Sequence, residues 1–157
     1  MIKVFGVGNI FLGDEGIGIK VVEKLKDKIK SLDDNIEVIT EEINPEYYMN
    51  KIKDEDTVII VDSTYFMTRP GAVIVKKFDE CDEFIDYGYL SCDESLLSLL
   101  RKERRNIKGC LIGIEISNID YTTELSKTLN KMFSSICDKV YEEIANILKN
   151  ENPLSCI

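Results

Sequence analysis

The 157 residues carry a net charge of −9, with 44% hydrophobic and 31% charged side chains, ordinary values for a globular chain of one-domain size, so a single domain over 1–157 is expected. The acidity, with a sequence pI of about 4.6, repels nucleic acid and anionic membrane surfaces at long range, and neither is expected as a partner. Histidine is absent and the five cysteines, Cys81, Cys92, Cys110, Cys137 and Cys156, include no C-x-x-C pair, which removes Ser-His and Cys-His nucleophilic systems and leaves carboxylates, thiols or a bound metal to carry any chemistry.

The first stretch, residues 2–19, reads IKVFGVGNIFLGDEGIGI. Its β-branched run over 2–7 predicts a buried strand with no room before it for a signal peptide. Apolar residues at Ile17, Val21, Leu25, Ile29 and Leu32 predict a helix over 16–32. Strand, loop and helix in that order put Asp14 and Glu15 beyond the carboxyl end of a strand, where open α/β sheets bind ligands. A dinucleotide fingerprint fails because Phe11 stands where its third glycine belongs, and a phosphate loop fails because Asp14-Glu15-Gly16 stands where Gly-Lys-Ser/Thr would be. No nucleotide cofactor is expected. The acids are either cation ligands, or an N-cap (Asp14) and a first-turn acid complementing the helix dipole (Glu15).

A second strand is predicted over 36–41, and Pro45 introduces a short helix reaching about residue 52. The run DTVIIVD over 56–62 lacks alternation, which marks a central strand covered on both faces and ending on Asp62. Arg69-Pro70-Gly71 predicts a turn, followed by an edge strand over 72–76 running antiparallel and guarded by Lys76 and Lys77. A polar connection is expected over 79–88. Ser91 and Glu94 form a capping-box pattern for a helix reaching about residue 104. A fifth strand is read over 110–116 and a long helix over 124–148, with Cys110 and Cys137 as small core residues. This order is that of an α/β chain: a three-layer α/β/α sandwich around a mostly parallel five-stranded sheet, phosphorylase/hydrolase-like. Right-handed crossovers make strands one and three neighbours, so Glu15 and Asp62 meet at a topological switch point, unless Asp62 serves only as an Asx cap of Ser63-Thr64.

The segments GVGNIFLGDEGIGIKVVEKL, VIIVDS, LSCDESLLSLL and LIGIEI followed by ELSKTL resemble, in order, the landmarks of the nickel-iron hydrogenase maturation endopeptidases. The lack of room for a signal peptide leads one to expect a cytoplasmic address, and the resemblance implies an α/β/α fold and removal of the C-terminal tail of a hydrogenase large-subunit precursor after nickel insertion. It also implies nickel supplied by that precursor, or another divalent metal, contacted by a Glu, an Asp and a His. By position the Glu is Glu15 and the Asp is Asp62; the residue at the His position is Cys92, or Asp93 if the register moves by one. Cys92 keeps Ser95 and the leucine pattern aligned, and a thiolate is a softer ligand than the oxygen set Asp93 would complete. The family's Asp-Gly-Gly-Thr after strand two is Glu41-Glu42-Ile43-Asn44 here. A non-catalytic metal- or protein-binding homologue, or a same-fold peptidase with another substrate, are the alternatives these departures leave.

Overall fold

A computed structural model describes residues 1–40, 44–86, 95–103 and 106–151. The elements are β1 (Ile2–Gly6), α1 (Ile17–Lys30), β2 (Ile36–Ile39), α2 (Pro45–Lys51), β3 (Thr57–Thr64), β4 (Val73–Lys77), α3 (Asp82–Asp86), α4 (Leu96–Glu103), β5 (Lys108–Glu115) and α5 (Lys127–Glu151). They form one sheet of order β2-β1-β3-β5-β4. The first four in that order are parallel, and β4 runs antiparallel to β5 at the edge, as its Pro-Gly turn and paired lysines lead one to expect.

The period-two geometry of the central strands sends alternate residues into two separate cores. Val4, Ile59, Val61, Ile112 and Ile114 pack with Ile17, Val21 and Leu25 of α1 and with Leu129, Ile136 and Val140 of α5. On the other face, Phe5, Val58, Ile60 and Leu111 meet Tyr48 and Met49 of α2 and Leu96, Leu97 and Leu100 of α4. Burial on both faces is why β3 reads as an unbroken apolar run. Of the free-thiol candidates, Cys110 and Cys137 are buried as expected, and Cys81 is buried with them. No helix of the described residues is long and apolar enough to cross a membrane.

Two expectations are corrected. The connection after β4 is not polar chain throughout: a 3-10 turn, Phe78–Cys81, leads into α3. Phe78 and Cys81, three apart, both face the second core, and Arg101 of α4 donates to Asp82 through Nε at 2.7 Å and an η nitrogen at 2.9 Å. That bidentate pair and two inward side chains give order to a segment whose acids make it look like solvated loop. β3 also runs past Asp62 to Thr64, because β5 continues to pair with it as far as Glu115. The capping-box pair Ser91 and Glu94 lies outside the described residues; Ser95 itself caps α4, its Oγ accepting from the Ser98 amide at 3.1 Å.

At the amino end of the sheet Lys3 is buried, donating to Glu37 at 2.8 Å and to the Lys51 carbonyl at 2.5 Å. Asp56 lies 3.8 Å from the same ammonium and 3.5 Å from the chain's amino terminus. At the other end α1 sits directly on the strand ends. A Cβ on Gly18 would lie 2.4 Å from the Val61 carbonyl oxygen and 2.5 Å from that of Val7, so only glycine lets this helix approach. Gly18→Ala is therefore expected to cost about 2 to 3 kcal/mol in urea denaturation through overpacking; an unchanged midpoint would mean that α1 can stand further off.

Candidate active site

Four acids are buried where β1, β3 and β5 end: Asp14, Glu15, Asp62 and Glu115. Burial of a carboxylate has to be compensated, and the four differ in how that is done. Asp14 lies with Glu15 in a 3-10 turn, Gly13–Gly16, ahead of α1. Its side chain does not cap α1, whose N-cap is Gly16 with no side-chain bond. Instead Asp14 accepts from the backbone amides of Ser117 at 3.0 Å, Asn118 at 3.2 Å and Ser126 at 2.7 Å. It is an anchor for the loop between β5 and α5. Glu115 does the same for the loop after β3, accepting from the Thr64 hydroxyl at 3.1 Å and the amides of Phe66 at 3.0 Å and Thr68 at 3.1 Å.

Glu15 and Asp62 are treated differently. Glu15 is almost completely buried, yet its Oε2 has no hydrogen-bond partner. Burial holds its pKa above the ordinary carboxylate range. The 3-10 turn is folded back against the end of β1 at Gly8, whose φ is +139° and where a Cβ would lie 2.0 Å from the Glu15 carbonyl oxygen. A side chain at that position would push the acid turn off the strand. Asp62 accepts from the Ser63 amide at 2.7 Å, but Ser63 and Thr64 continue β3, so the side chain caps no turn there. Burial pushes the Asp62 carboxyl up to about 7, the Ser63 amide opposes the rise, and the charge of Glu15 adds to it. Adjacent strand ends, with the Val7 amide donating to the Val61 carbonyl at 3.0 Å, bring the two acids to one place.

An unpartnered buried oxygen beside a carboxyl lifted by burial, with the charge of Glu15 adding to the rise, leaves oxygen donors of a kind that suits a divalent ion. Among the described residues no group of three His, Cys, Asp or Glu could hold a metal; Cys92 and Asp93, the candidates for the third position, lie outside the described residues. A cavity of about 670 Å³ opens elsewhere, among Thr57, Lys77, Arg101 and Lys108. Thr57 and Lys108 begin β3 and β5, so it lies at the opposite end of the sheet, and its Arg101 is committed to Asp82. Sequence reasoning missed Glu115 and the anchoring role of Asp14. The signal for the first is an acid inside the apolar run LIGIEI; the second depends on amides more than 100 positions away.

Residues 19–143 match the family model for hydrogenase maturation protease; Asp62 lies within the match and Glu15 just before it. A protein of Methanocaldococcus jannaschii, provisionally named a hydrogenase maturation protease, is 28% identical over 151 residues, covering 94% of this chain and 96% of its own. Among solved structures, an endopeptidase from Escherichia coli superposes with a TM-score of 0.72 at 23% identity, covering 88% of each chain, which is a likeness of fold. The [NiFe] hydrogenase maturation protease HycI from Thermococcus kodakarensis superposes with a TM-score of 0.63 at 25% identity, over 94% of this chain and 92% of its own.

The division of the acids into loop anchors, Asp14 and Glu115, and a buried pair that no loop amides surround, Glu15 and Asp62, is measurable by urea denaturation. Asp14→Ala removes the buried carboxylate that accepts from three part-buried amides and is expected to cost about 2 to 3 kcal/mol. Asp62→Asn behaves differently because the folded-state pKa, about 7, stands above the ordinary 3.8. The stability due to the bound proton is fully present below pH 3.8 and is lost as pH rises through about 7. Wild type should therefore lose stability relative to Asp62→Asn between pH 4 and pH 8, by a few kcal/mol at most. A parallel pH dependence of the two proteins would place Asp62 in an ordinary solvated environment.

Proposed function

The chain belongs to the hydrogenase maturation protease family, and from that premise we propose that it removes the C-terminal extension of a nickel-iron hydrogenase large-subunit precursor after nickel insertion, with Glu15 and Asp62 at the cutting site. The observation that carries this reading is the unpartnered Oε2 of buried Glu15 beside Asp62. An active site that meets a cation only when substrate arrives has to hold its ligands unsatisfied until then. In this reading nickel is part of the substrate, and it supplies polarisation of a peptide carbonyl when present.

The chain's own residues do the rest. Asp62 titrates at about 7, which suits a group that takes a proton from an attacking water and returns it to the leaving amine near neutral pH. Glu15, fixed by the fold of the 3-10 turn onto Gly8, presents a carboxylate that cannot swing away to solvent. A third ligand at Cys92 or Asp93 completes the set in this proposal, and the reaction belongs in the cytoplasm, where the precursor acquires its metal. The absence of histidine from the chain is the observation that favours the rival reading, a homologue that binds metal or precursor without cutting.

Tail cleavage of the nickel-loaded precursor, followed by mass spectrometry, decides between them. Glu15→Gln and Asp62→Asn keep side-chain shape while removing charge, and each is expected to slow cleavage by at least about 10²-fold with the circular dichroism spectrum unchanged. Wild-type protein that leaves every tail intact, where another family enzyme processes the same preparation, would establish the non-catalytic reading.

A further inference from the structure

The acid pair lies at the foot of three loops that share an unusual surface. Phe11 in the β1–α1 loop, Tyr65 and Met67 in the β3–β4 loop, and Ile119 and Tyr121 in the β5–α5 loop are all exposed, Met67 at 79% and Tyr121 at 98%. The loops follow strands that are neighbours in the sheet, and they are tied together from beneath. Asp14 binds the amides of Ser117, Asn118 and Ser126; Leu12 pairs with Thr122; Glu115 binds the amides of Phe66 and Thr68. Arg69, Asp120 and Glu124 are the exposed charged side chains of these loops, outnumbered by large apolar ones. Exposed apolar side chains on three neighbouring loops above a pair of buried acids mark a contact surface.

Met67 gives the sharpest sign. It is the one non-glycine residue with positive φ, 59°, among the described residues, a conformation that an unbranched apolar side chain does not choose unaided. Both flanking amides are held by the buried Glu115 carboxylate, so the strain is maintained from the core in order to present a side chain that touches little else. Strain kept at a mostly exposed apolar residue is what pre-organisation for a partner looks like.

Resting on the proposed function, we infer that Phe11, Tyr65, Met67, Ile119 and Tyr121 form the docking rim for one occupant: the segment of the large-subunit precursor that flanks the scissile bond, an extended polypeptide bearing apolar side chains. Continuity decides the occupant. A chain reaching Glu15 and Asp62 passes between these loops, and the acid pair favours a segment that brings the precursor's cation over it while its apolar side chains cover the rim.

The test uses the nickel-loaded precursor as probe, with the double variant Met67→Ser/Tyr121→Ser and, as a control on the far edge strand, Val75→Thr. Neither rim residue touches the acids, so the double variant is expected to raise KM about tenfold or more with kcat within about twofold of wild type, and the control to match wild type in both. A double variant with wild-type KM overturns the docking rim while leaving the protease reading intact. Should wild type cut nothing, the same proteins are compared in binding the uncut precursor. A loss of about tenfold or more in affinity confined to the rim variant then upholds the docking surface and removes the protease reading, whereas equal binding, or none by wild type, overturns the rim.

Discussion

Burying two carboxylates side by side is the constraint on which this structure turns. Each loses hydration, which makes each harder to ionise, and the charge of Glu15 adds a smaller rise at Asp62. The fold accepts this at Glu15 and Asp62 and nowhere else among its described acids. Asp14 and Glu115 are as deeply buried, but each is surrounded by backbone donors. At the amino end of the sheet, Asp56 has the Lys3 ammonium and the chain's amino terminus beside it. The chain therefore has the means to satisfy a buried acid and uses them at both ends of the sheet, which makes the unpartnered Glu15 oxygen beside Asp62 a property of the site rather than of poor packing.

The satisfied acids also explain how an unfavourable pair is kept in place. Asp14 is next to Glu15 in the 3-10 turn, and its bonds to Ser117, Asn118 and Ser126 hold that turn against the β5–α5 loop. Gly18 lets α1 press on the ends of β1 and β3, so the turn cannot relax by moving the helix outward. Repulsion between Glu15 and Asp62 is thus resisted by charge-assisted hydrogen bonds and close packing on either side, and relief is left to a proton or a cation. In the proposed function, a proton near neutral pH and the precursor's cation would compete for the same oxygens, which would couple the state of the site to the arrival of its ligand.

Much of this was legible in the residues. The unbroken apolar run before Asp62 identified the central strand, the Pro-Gly turn and lysine pair identified the antiparallel edge, and the neighbouring of β1 and β3 that joins Glu15 to Asp62 followed from the handedness of crossovers alone. What was not legible depends on partners distant in sequence or on order in acidic chain. Nothing near Asp14 reveals that its acceptors will be filled by amides beyond residue 116, so an N-cap was the natural local reading. The segment leading into α3 reads as loop because Asp79, Glu80, Asp82 and Glu83 crowd its few inward residues, Phe78, Cys81 and Ile85, and the Arg101–Asp82 pair that fixes it spans 19 positions. Cys92 and Asp93 lie outside the described residues, so the third position of the site rests on the resemblance alone.

The central claim, that Glu15 and Asp62 share one buried site, is tested most directly by carboxyl-carbon NMR titration of the protein without added metal. Asp62 should titrate at about 7, and Glu15→Gln should lower that value because the neighbouring charge is gone while the burial remains. An Asp62 that titrates near its ordinary 3.8, or one whose midpoint does not move when Glu15 loses its charge, would contradict it.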